Sequence, residues 1–492
     1  MATKAGPAQK GSTGTSVLWF RQDLRLADNP ALTAALADGG PVLAVYVLDE
    51  AAGGRWAPAS ASRWWLHHSL ESLAADLAGR GATLVLRRGP ATETIAALAR
   101  ECGATQVHAG LMHEPWARAR DAETAEALAA QGATLHLHQV STLYAPDQVK
   151  TKTGSVYGVY TPYAKACRAL GEPAPPQPAP ERIPGATPPA SDALASWRLL
   201  PSRPDWAGGM RETWTPGEAG AHGRLDTFMK RGVAGYDQDR NIPGRDTTSM
   251  LSPHLHWGEL SPNQVWHAAR AAGSGKALEV FLAELLWHEF SAYLLWHRPE
   301  LPDAPLRPAF AAIPWRDQPA ELHAWQRGQT GVPIVDAGMR QLWNMGWMHN
   351  RLRLITSSFL VKQLLVDWVA GEAWFWDTLV DADLAANSVS WQWIAGCGVD
   401  AQPYFRVFNP VTQAGNFDPD GDFVRRWVPE LKDVPTRWLH APWEAPPAVL
   451  AKAGVTLGET YPHPVVDLGE ARRRALDTFR RTVAPARAGS PA

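Results

Sequence analysis

The chain is poor in cysteine: it has three among 492 residues, all far apart and none in a CxxC pair. This pattern argues against a disulfide framework, a zinc ribbon or an iron–sulfur cluster, and is typical of a reducing cytosol. No apolar run approaches the roughly 20 residues that cross a bilayer. The first fifteen residues also lack the apolar core of a secretory signal. We therefore expect a cytoplasmic protein without membrane segments and with a disordered tail over residues 1–15.

The chain also lacks a strong net charge. A formal charge of −2 argues against a uniformly basic nucleic-acid binder, although it allows a local basic groove. Tryptophan, by contrast, is abundant: there are 24, and thirteen of them lie between Trp257 and Trp393. Indoles are large and usually packed, so most of these are expected in a helical core. A few remain candidates for stacking surfaces or electron carriers.

Short β-rich runs alternate with helical patterns at the start of the chain. The first helical pattern has Asn29 as its N-cap and Pro30 in its first turn. This alternation predicts a doubly wound parallel sheet. The predicted strands are 16–20, 42–48, 83–87, 105–109 and 134–138. Neither GxGxxG nor GxxxxGK(S/T) is present, so the α/β fold alone does not give the function.

The character of the chain changes after the fifth predicted strand. The stretch 172–190 is too rich in proline for a helix or a central strand. Beyond 217, long helical patterns dominate, and two of the longest cover 276–297 and 336–368. We expect an α/β domain over 16–145, a proline-rich connector over 146–216 and an all-α domain over 217–485.

Four hydroxyl side chains lie within six positions just before a helical pattern. They are Thr247, Thr248, Ser249 and Ser252. Hydroxyls and free amides at a helix start form a cradle for phosphate groups. Capping of the helix needs only one such residue, so the pattern slightly favours anion binding over capping.

Phe281, Glu284 and Trp287 recur at intervals of three residues and therefore share one helical face. The simplest interpretation is a core stripe with Glu284 at its solvent edge. The functional alternative is an acid and a flat wall that face a planar ligand. Farther along, Arg353 could pair with an acid of 381–383, an arrangement that requires good hydrogen bonds if it is buried.

Motifs for other chemistries are incomplete. The sequence WHEF does not extend to HExxH because residue 292 is alanine, and His254 and His256 have no cysteine or carboxylate at ligand spacing. No metal site is therefore expected. No Ser–His–Asp arrangement and no carboxylate pair set for hydrolysis can be assembled. What remains is an aromatic, polar pocket suited to a large conjugated cofactor.

Several long motifs resemble the photolyase/cryptochrome family and, more narrowly, the bacterial cyclobutane pyrimidine dimer (CPD) photolyases. The motifs are VLWFRQDLRLADNPAL, TTSMLSPHLHWGELSP, TGVPIVDAGMRQLWNMGWMHNRLR, DADLAANSVSWQW and DAQPYFRVFNP. The wording SPHLHWGELSP and LRPAF favours the class III photolyases, which are near relatives of plant cryptochromes. The resemblance implies an antenna-type α/β domain followed by a helical, FAD-binding catalytic domain.

The same motifs imply an FAD site. By motif match, its residues are Tyr236, Thr248, Ser249, Met250, Leu251, Ser252, Phe281, Arg353, Asp381, Ala382, Asp383 and Asn387. Phe281 stands where many relatives have a tryptophan in the cofactor wall, and Asp381 would pair with Arg353. Asn387 matches the residue that faces flavin N5. Photolyases use Asn there, whereas plant cryptochromes typically carry Asp and insect ones Cys, so this position favours repair.

The resemblance also implies a catalytic group, Glu284, Trp287 and Asn387, and a DNA-binding face. Glu284 would hydrogen-bond the damaged bases, and Trp287 and Trp393 would hold a flipped-out dimer. The DNA- and lesion-binding residues are Arg240, Glu284, Trp287, Asn350, Arg351, Trp393, Arg406 and Gln413. Asn350 stands where (6-4) photolyases carry a catalytic His, which favours cyclobutane dimers. His288 and Leu354 depart from the Arg and the Met that are common at their positions.

A tryptophan relay to the flavin and an antenna chromophore are also implied. The relay residues are Trp391, Trp368 and Trp315. Trp374 and Trp376 could form a branch of this relay or belong to the core alone, and the core assignment is favoured. The loop that matches the antenna region reads GLMHEPWARARD, with Trp116 where folate binders of another subclass have Asn. Methenyltetrahydrofolate is expected first and deazaflavin or flavin next, and no antenna residues can be assigned.

These features predict a monomeric, light-driven carbon–carbon lyase that binds UV-damaged DNA. Excited reduced FAD would give an electron to a flipped-out pyrimidine dimer and split it. The main alternative is a cryptochrome-type blue-light receptor without repair activity. An ordinary electron-transfer flavoprotein would give no reason for Trp287, Trp393 and several arginines to surround one cavity.

Overall fold

A five-stranded parallel sheet forms the N-terminal domain of the computed structural model, which describes residues 14–400 and 406–488, the last four by backbone alone. Most of the predicted tail lies outside these residues. The strands are β1 (Ser16–Phe20), β2 (Val42–Leu48), β3 (Leu84–Arg88), β4 (Gln106–Gly110) and β5 (Thr134–His138). They lie in the order β3-β2-β1-β4-β5, and every neighbouring pair is parallel. The predicted doubly wound sheet is confirmed, with β3 and β4 displaced by one residue.

Four helices connect the strands. They are α1 (Pro30–Ala37), α2 (Ser60–Ala78), α3 (Ala91–Glu101) and α4 (Pro115–Ala129). The Asn29 side chain caps α1 by accepting a hydrogen bond from the Leu32 amide, 3.1 Å away, and Pro30 is the first helical residue, as predicted. Every residue of β1 and β2 is buried, as expected for central strands covered by helices on both faces.

The connector contains two helices, α5 (Tyr160–Ala169) and α6 (Gly208–Thr213). The proline-dense stretch 172–190 contains neither a helix nor a named strand, as its composition predicts. It runs along the sheet, because the Val42 amide donates to the Pro184 carbonyl (2.7 Å) and the Val42 carbonyl accepts from the Ala186 amide (3.0 Å). The connector is therefore fixed to the beginning of β2, an inner strand of the sheet.

The rest of the described chain is helical. Its α-helices are α7 (Glu218–Arg231), α8 (Tyr236–Asp239), α9 (Ser252–His256), α10 (Pro262–Ala272), α11 (Lys276–His297), α12 (Pro319–Gln326), α13 (Pro333–Met345), α14 (Asn350–Ser358), α15 (Trp368–Thr378), α16 (Leu384–Ala395), α17 (Pro410–Phe417), α18 (Asp422–Trp427), α19 (Thr436–Leu439), α20 (Pro447–Lys452) and α21 (Leu468–Ala488). No helix in this part of the structure is long and apolar enough to cross a membrane.

The two longest predicted helical patterns have different outcomes. The pattern 276–297 forms one continuous helix, α11. The pattern 336–368 is interrupted, because Gly346 takes a positive φ of 64° after α13 and because a π-helical segment, Phe359–Leu364, follows α14. Leu365 then ends that segment with a φ of 58°. Left-handed residues end helices, and π-helical turns are frequent at functional sites.

Two buried acids join the domains. The Glu259 carboxylate accepts hydrogen bonds from the Trp65 indole (3.0 Å) and the Gly217 amide (2.7 Å). The Glu289 carboxylate accepts from the amides of Leu143 (2.9 Å) and Tyr144 (2.8 Å). Burial raises the pKa of Glu289 to about 7. The Glu289 contacts fix α11 to the end of the α/β domain, and the contact between Glu259 and Trp65 fixes the segment between α9 and α10 to α2.

Candidate functional site

The segment before α9 leaves a row of main-chain amides available for a ligand. Among the described residues, the amides of 246–250 have no hydrogen-bond acceptor. No side chain caps α9, so the hydroxyls of this segment do not serve as helix caps. Met250 has a positive φ of 50°, which is rare for a residue with a side chain. Free amides beside hydroxyls suit a bound anion, and the segment therefore fits the phosphates of a dinucleotide.

Arg353 and Asp381 form the predicted ion pair. One guanidinium nitrogen of Arg353 donates to both carboxylate oxygens, at 3.0 and 2.7 Å, and its Nε donates to the Met348 carbonyl. The Asp381 side chain is 3% exposed and that of Arg353 24%. The neighbouring Ala382 is buried. The pair fixes the loop that leads into α16 and so holds the start of that helix in place.

Asp383 begins α16 and faces a cavity between the two domains. Its carboxylate caps the helix by accepting from the Ala386 amide at 2.7 Å. Asp383 lies 3.8 Å from His288 and 4.0 Å from His256, and all three residues line this cavity. Burial favours the neutral form of Asp383, but the two imidazoles keep its pKa well below the usual range. His288, which departs from the family pattern, is thus a partner of a predicted cofactor residue.

A second acid faces the same cavity from the α/β domain. Glu114 precedes α4 and is 6% exposed. Burial, reinforced by the charge of Asp383, raises the pKa of Glu114 to about 7. Beside it, burial lowers the pKa of His113 to about 4. The cavity between the domains therefore combines the anionic carboxylate of Asp383 with one acid that exchanges its proton near neutral pH, Glu114, and one neutral imidazole, His113.

Asn387 is held by a residue that the sequence did not indicate. Its side-chain amide donates to the main-chain carbonyl of Glu372 on α15, 3.1 Å away. The Glu372 carboxylate accepts from the Ser388 hydroxyl at 2.5 Å. Glu372 is completely buried, and burial raises its pKa to about 8. The two helices thus fix the orientation of the Asn387 amide and place a neutral acid behind it.

The predicted lesion wall lies on α11, where Phe281 is buried and Glu284 and Trp287 are partly exposed. Phe281 packs against the ring of Tyr236, with centroids 5.5 Å apart, so these two predicted cofactor residues are in contact. Glu284 accepts a hydrogen bond from Arg240, 2.5 Å away. The predicted acid and a predicted backbone-binding arginine therefore form one ion pair. A buried Phe281 with Glu284 at the solvent edge is expected from both interpretations of this stripe, so the functional one stays a prediction.

Three arginines gather beside this wall. Burial together with the charges of Arg240 and Arg406 lowers the pKa of Arg351, so both positive charges act on this guanidinium group. Arg351 donates to the Asn241 side chain at 2.6 Å and lies over the ring of Phe417. Asn350, which precedes it, is exposed at the start of α14. The cluster provides the local basic surface that the near-neutral total charge allows.

Two other residues that are predicted to bind DNA, Trp393 and Gln413, lie on either side of Arg406 in the sequence. The π-helical segment holds the irregular segment that contains Arg406. Lys362 donates to the main-chain carbonyl of Arg406 and Gln363 donates to that of Phe408, each at 2.5 Å. Gln413 lies on α17 and Trp393 on α16, and both are partly exposed. Leu354 is partly buried on α14. Residues 401–405 of the DAQPYFRVFNP motif lie outside the described residues.

Two of the three predicted relay tryptophans lie in the core and the third lies at its margin. Trp391 and Trp368 are 2% and 4% exposed, whereas Trp315 is partly exposed. A Cβ at Gly371 would lie 2.1 Å from the Trp391 ring, so α15 packs directly on this indole. Trp376 is a core residue, as predicted, and meets Trp56 edge-on.

Trp374 differs from its neighbour. Its ring stacks on that of Trp343 at 6.1 Å and 6°, and Trp343 is 55% exposed. The expectation that Trp374 is an ordinary core residue describes its packing incompletely, because this stack extends from the helical core to the protein surface.

A second cavity lies at the carboxyl ends of β1 and β2. It is lined by Trp19, Arg21, Trp116 and Arg120 among others. Both guanidinium groups lie over the Trp19 ring, at 4.7 and 4.8 Å. Two nitrogens of Arg21 are buried without an acceptor among the described residues. Ligands of doubly wound sheets bind at this end of the strands.

Comparisons with known proteins agree with this geometry. Family models described as DNA photolyase and FAD binding domain of DNA photolyase match residues 16–181 and 281–481. The chain is 46% identical over 471 residues to deoxyribodipyrimidine photo-lyase of Agrobacterium fabrum, with 95% of this chain and 98% of that protein covered. The chain belongs to the DNA photolyase family. Its helical domain is therefore the FAD-binding domain of that family, and the free amides before α9 fit this cofactor.

Other relatives of the chain include a plant cryptochrome, at lower identity, and two photolyases of known structure. Cryptochrome-1 of Arabidopsis thaliana is 36% identical over 94% of this chain and 70% of its own length. Among solved structures, a class III photolyase from Agrobacterium tumefaciens has a TM-score of 0.93 and 45% identity over 97% of this chain and 99% of that one. An archaeal photolyase from Sulfolobus tokodaii with two FAD molecules has a TM-score of 0.81 and 26% identity over 95% and 100%.

Proposed function

We propose that the protein uses light to split cyclobutane pyrimidine dimers in UV-damaged DNA, with reduced FAD bound in its helical domain. The observation that carries the proposal is the packing of α11 on α16. It brings the acid and the indole of the lesion wall, Glu284 and Trp287, to the helix that carries Asn387 and Trp393. An acid, two indoles and an amide suit the stacking of planar bases and electron transfer better than hydrolysis.

The residues of the cofactor site would bind the FAD phosphates and orient the groups that face the flavin ring. The free amides of 246–250 and their hydroxyls would hold the FAD phosphates, and the Arg353–Asp381 pair fixes the loop at the start of α16. The main-chain carbonyl of Glu372 keeps the Asn387 amide in one orientation towards the flavin ring. When bound and reduced, FAD supplies an electron on excitation by near-UV or blue light.

The residues of the lesion wall receive the flipped-out dimer. Trp287 and Trp393 offer indole faces on which bases stack and from which water is excluded. The Glu284 carboxylate accepts hydrogen bonds from the damaged bases, and Arg240 keeps it oriented. The electron that opens the cyclobutane ring returns to its donor, so the reaction consumes no reductant. Asn350 favours cyclobutane dimers, because it cannot act as the acid–base group that a histidine provides.

The DNA partner and the oligomeric state are proposed from the same site. The cluster of Arg240, Arg351 and Arg406 would bind the phosphates of duplex DNA beside the dimer. A monomer is proposed because one chain supplies both the cofactor residues and the lesion wall. A cytoplasmic location is proposed from the cysteine content.

Two accessory functions are proposed, one for the relay tryptophans and one for the cavity at the carboxyl ends of β1 and β2. Trp315, Trp368 and Trp391 would carry electrons inwards to oxidised flavin, since their burial increases in that order. The cavity at the ends of β1 and β2 would hold the antenna. Its arginines suit the carboxylates of a folate and Trp19 suits a planar ring, so methenyltetrahydrofolate is proposed first and a deazaflavin or flavin next.

The alternative is a cryptochrome-type receptor without repair activity. Asn387 favours repair over this alternative, as do the acid and indole of the lesion wall. The experiment that separates them is repair of dimer-containing DNA by the purified, reduced protein in light and in darkness. Loss of dimers only in the light is expected. Photoreduction of the flavin without any loss of dimers would instead support the receptor.

A further inference from the structure

A tyrosine from the connector lies flat against the indole of the lesion wall. The rings of Tyr160 and Trp287 are stacked, with centroids 3.7 Å apart and planes inclined by 7°. Tyr160 is the first residue of α5, and both rings are partly exposed. An indole has two faces, so a base can stack only on the face that Tyr160 leaves open.

Two hydrogen bonds fix this tyrosine. Its hydroxyl donates to the main-chain carbonyl of Ala283, 2.8 Å away, on the same helix as Trp287 and one turn before it. Its amide donates to the carboxylate of Asp400 at 2.7 Å, in the segment that follows α16. Tyr160 thus touches α11 twice and is tied to the segment beyond the helix that carries Trp393.

The stack has a consequence for binding. A partly exposed indole at a protein surface loses side-chain freedom when a ligand orders it, and that loss weakens affinity. An indole that is already held parallel to a fixed phenol has less freedom to lose. A binding site is most precise when packing and hydrogen bonds from neighbouring residues lock the rotamers of the side chains that contact the ligand.

We propose that Tyr160 is a positioning residue, which holds the plane of Trp287 ready to receive the flipped-out dimer. The proposal rests on the proposed function. It assigns a role to the connector, which the sequence predicts only as a link between domains. Tyr160 itself does not touch the dimer in this arrangement, because Trp287 lies between them.

The effect of Tyr160 should therefore pass through Trp287. In the flavin-loaded protein, Tyr160→Leu should weaken binding of duplex DNA with one dimer about five- to tenfold, the range expected for loss of an aromatic pair. Binding of undamaged duplex should change less than about twofold. Tyr160→Phe, which keeps the stack and loses only the hydroxyl, should stay within about threefold of the wild type.

A double-mutant cycle separates positioning from a general structural role. In a Trp287→Ala background, Tyr160→Leu should have almost no further effect on dimer binding. A matched control is Tyr157→Leu, since Tyr157 belongs to the same segment but its ring meets Tyr163 edge-on at 6.2 Å. Flavin content and unfolding temperature confirm that each variant folds, and Tyr160→Met replaces the Leu variant if that one does not.

Three results would overturn the inference: equal effects of Tyr160→Leu with and without Trp287, equal losses for damaged and undamaged DNA, or no loss at all. Each of these requires that the wild type prefers dimer-containing DNA. If the wild type shows no such preference, the proposed function fails first and the inference fails with it. The two failures are thus distinguishable in one set of titrations.

Discussion

Arg240 on the loop after α8 donates a hydrogen bond to the carboxylate of Glu284 on α11, 2.5 Å away. The sequence assigns these residues to different partners, the DNA backbone and the damaged bases. The structure joins them in one ion pair, so binding of a phosphate by Arg240 and binding of a base by Glu284 would be coupled. Charge-assisted hydrogen bonds of this kind also fix the direction of the carboxylate.

The first prediction concerns that carboxylate. Glu284→Ala should lower the repair yield per absorbed photon by about fivefold or more while FAD stays bound, because a charge-assisted hydrogen bond to the dimer is lost. Arg240→Ala should lower both the yield and the affinity for DNA. The matched control is Glu279→Ala. Glu279 lies on α11 like Glu284, but it is paired with Arg270 and Arg168. A loss of flavin in Glu284→Ala would show a structural role instead.

The second prediction concerns pH. The pKa of Glu372 is raised to about 8 in the folded protein, above its ordinary value near 4.5, so the folded state keeps a proton that the unfolded state has released. Its contribution to stability is complete below about pH 4.5 and is lost as the pH rises through 8, by up to about 1.4 kcal/mol per pH unit. In Glu372→Gln, which mimics the neutral acid, the unfolding temperature should fall less between pH 6 and 8 than in the wild type. Parallel pH profiles would contradict the assignment.

The third prediction concerns the relay. Trp368→Phe and Trp315→Phe should slow photoreduction of oxidised flavin by about tenfold or more, because phenylalanine is much harder to oxidise than tryptophan. Repair by protein that has already been reduced chemically should not change. Trp438→Phe is the control, since Trp438 is also partly exposed in the helical domain but lies outside the relay. Flavin absorbance during blue illumination gives the rates, and unchanged rates in both relay variants would refute the assignment.

The fourth prediction concerns the arginine cluster. Arg351→Ala should weaken binding to damaged and undamaged duplexes alike and should reduce the slope of log K against log salt by about one, because one phosphate contact is lost. Arg437→Ala changes an exposed arginine that lies over Trp438 and should leave the slope as it is. An unchanged slope in Arg351→Ala would mean that Arg351 supports the fold through Phe417 and does not bind phosphate.

Much of the fold could be predicted from local sequence. The strands, the cap at Asn29 and the continuous helix α11 follow from periodicity and capping chemistry, which act over a few residues. The interruption of the pattern 336–368 was missed, because apolar spacing continues through Gly346 although its backbone turns left-handed there. Glycine after a helical run was the signal that could have located this break.

The site could be predicted only in part. Motif matches found the residues that would face the cofactor and the dimer, including the Arg353–Asp381 pair. They did not find Glu372 behind Asn387, Tyr160 behind Trp287, or the approach of His288 to Asp383. Each of these partners comes from a different element, and no spacing rule links residues that meet only after the helices pack. Supporting residues of this kind require coordinates.

The central claim is that light absorbed by the reduced protein splits a dimer held against Trp287 and Glu284. The most direct measurement is the fraction of intact bases in a duplex that carries a single cyclobutane dimer, after incubation with chemically reduced, flavin-loaded protein. Repair should be complete under blue or near-UV light, absent in darkness, and absent when the flavin is kept oxidised. A protein that binds this duplex, holds reduced flavin and leaves the dimer intact in the light would contradict the account.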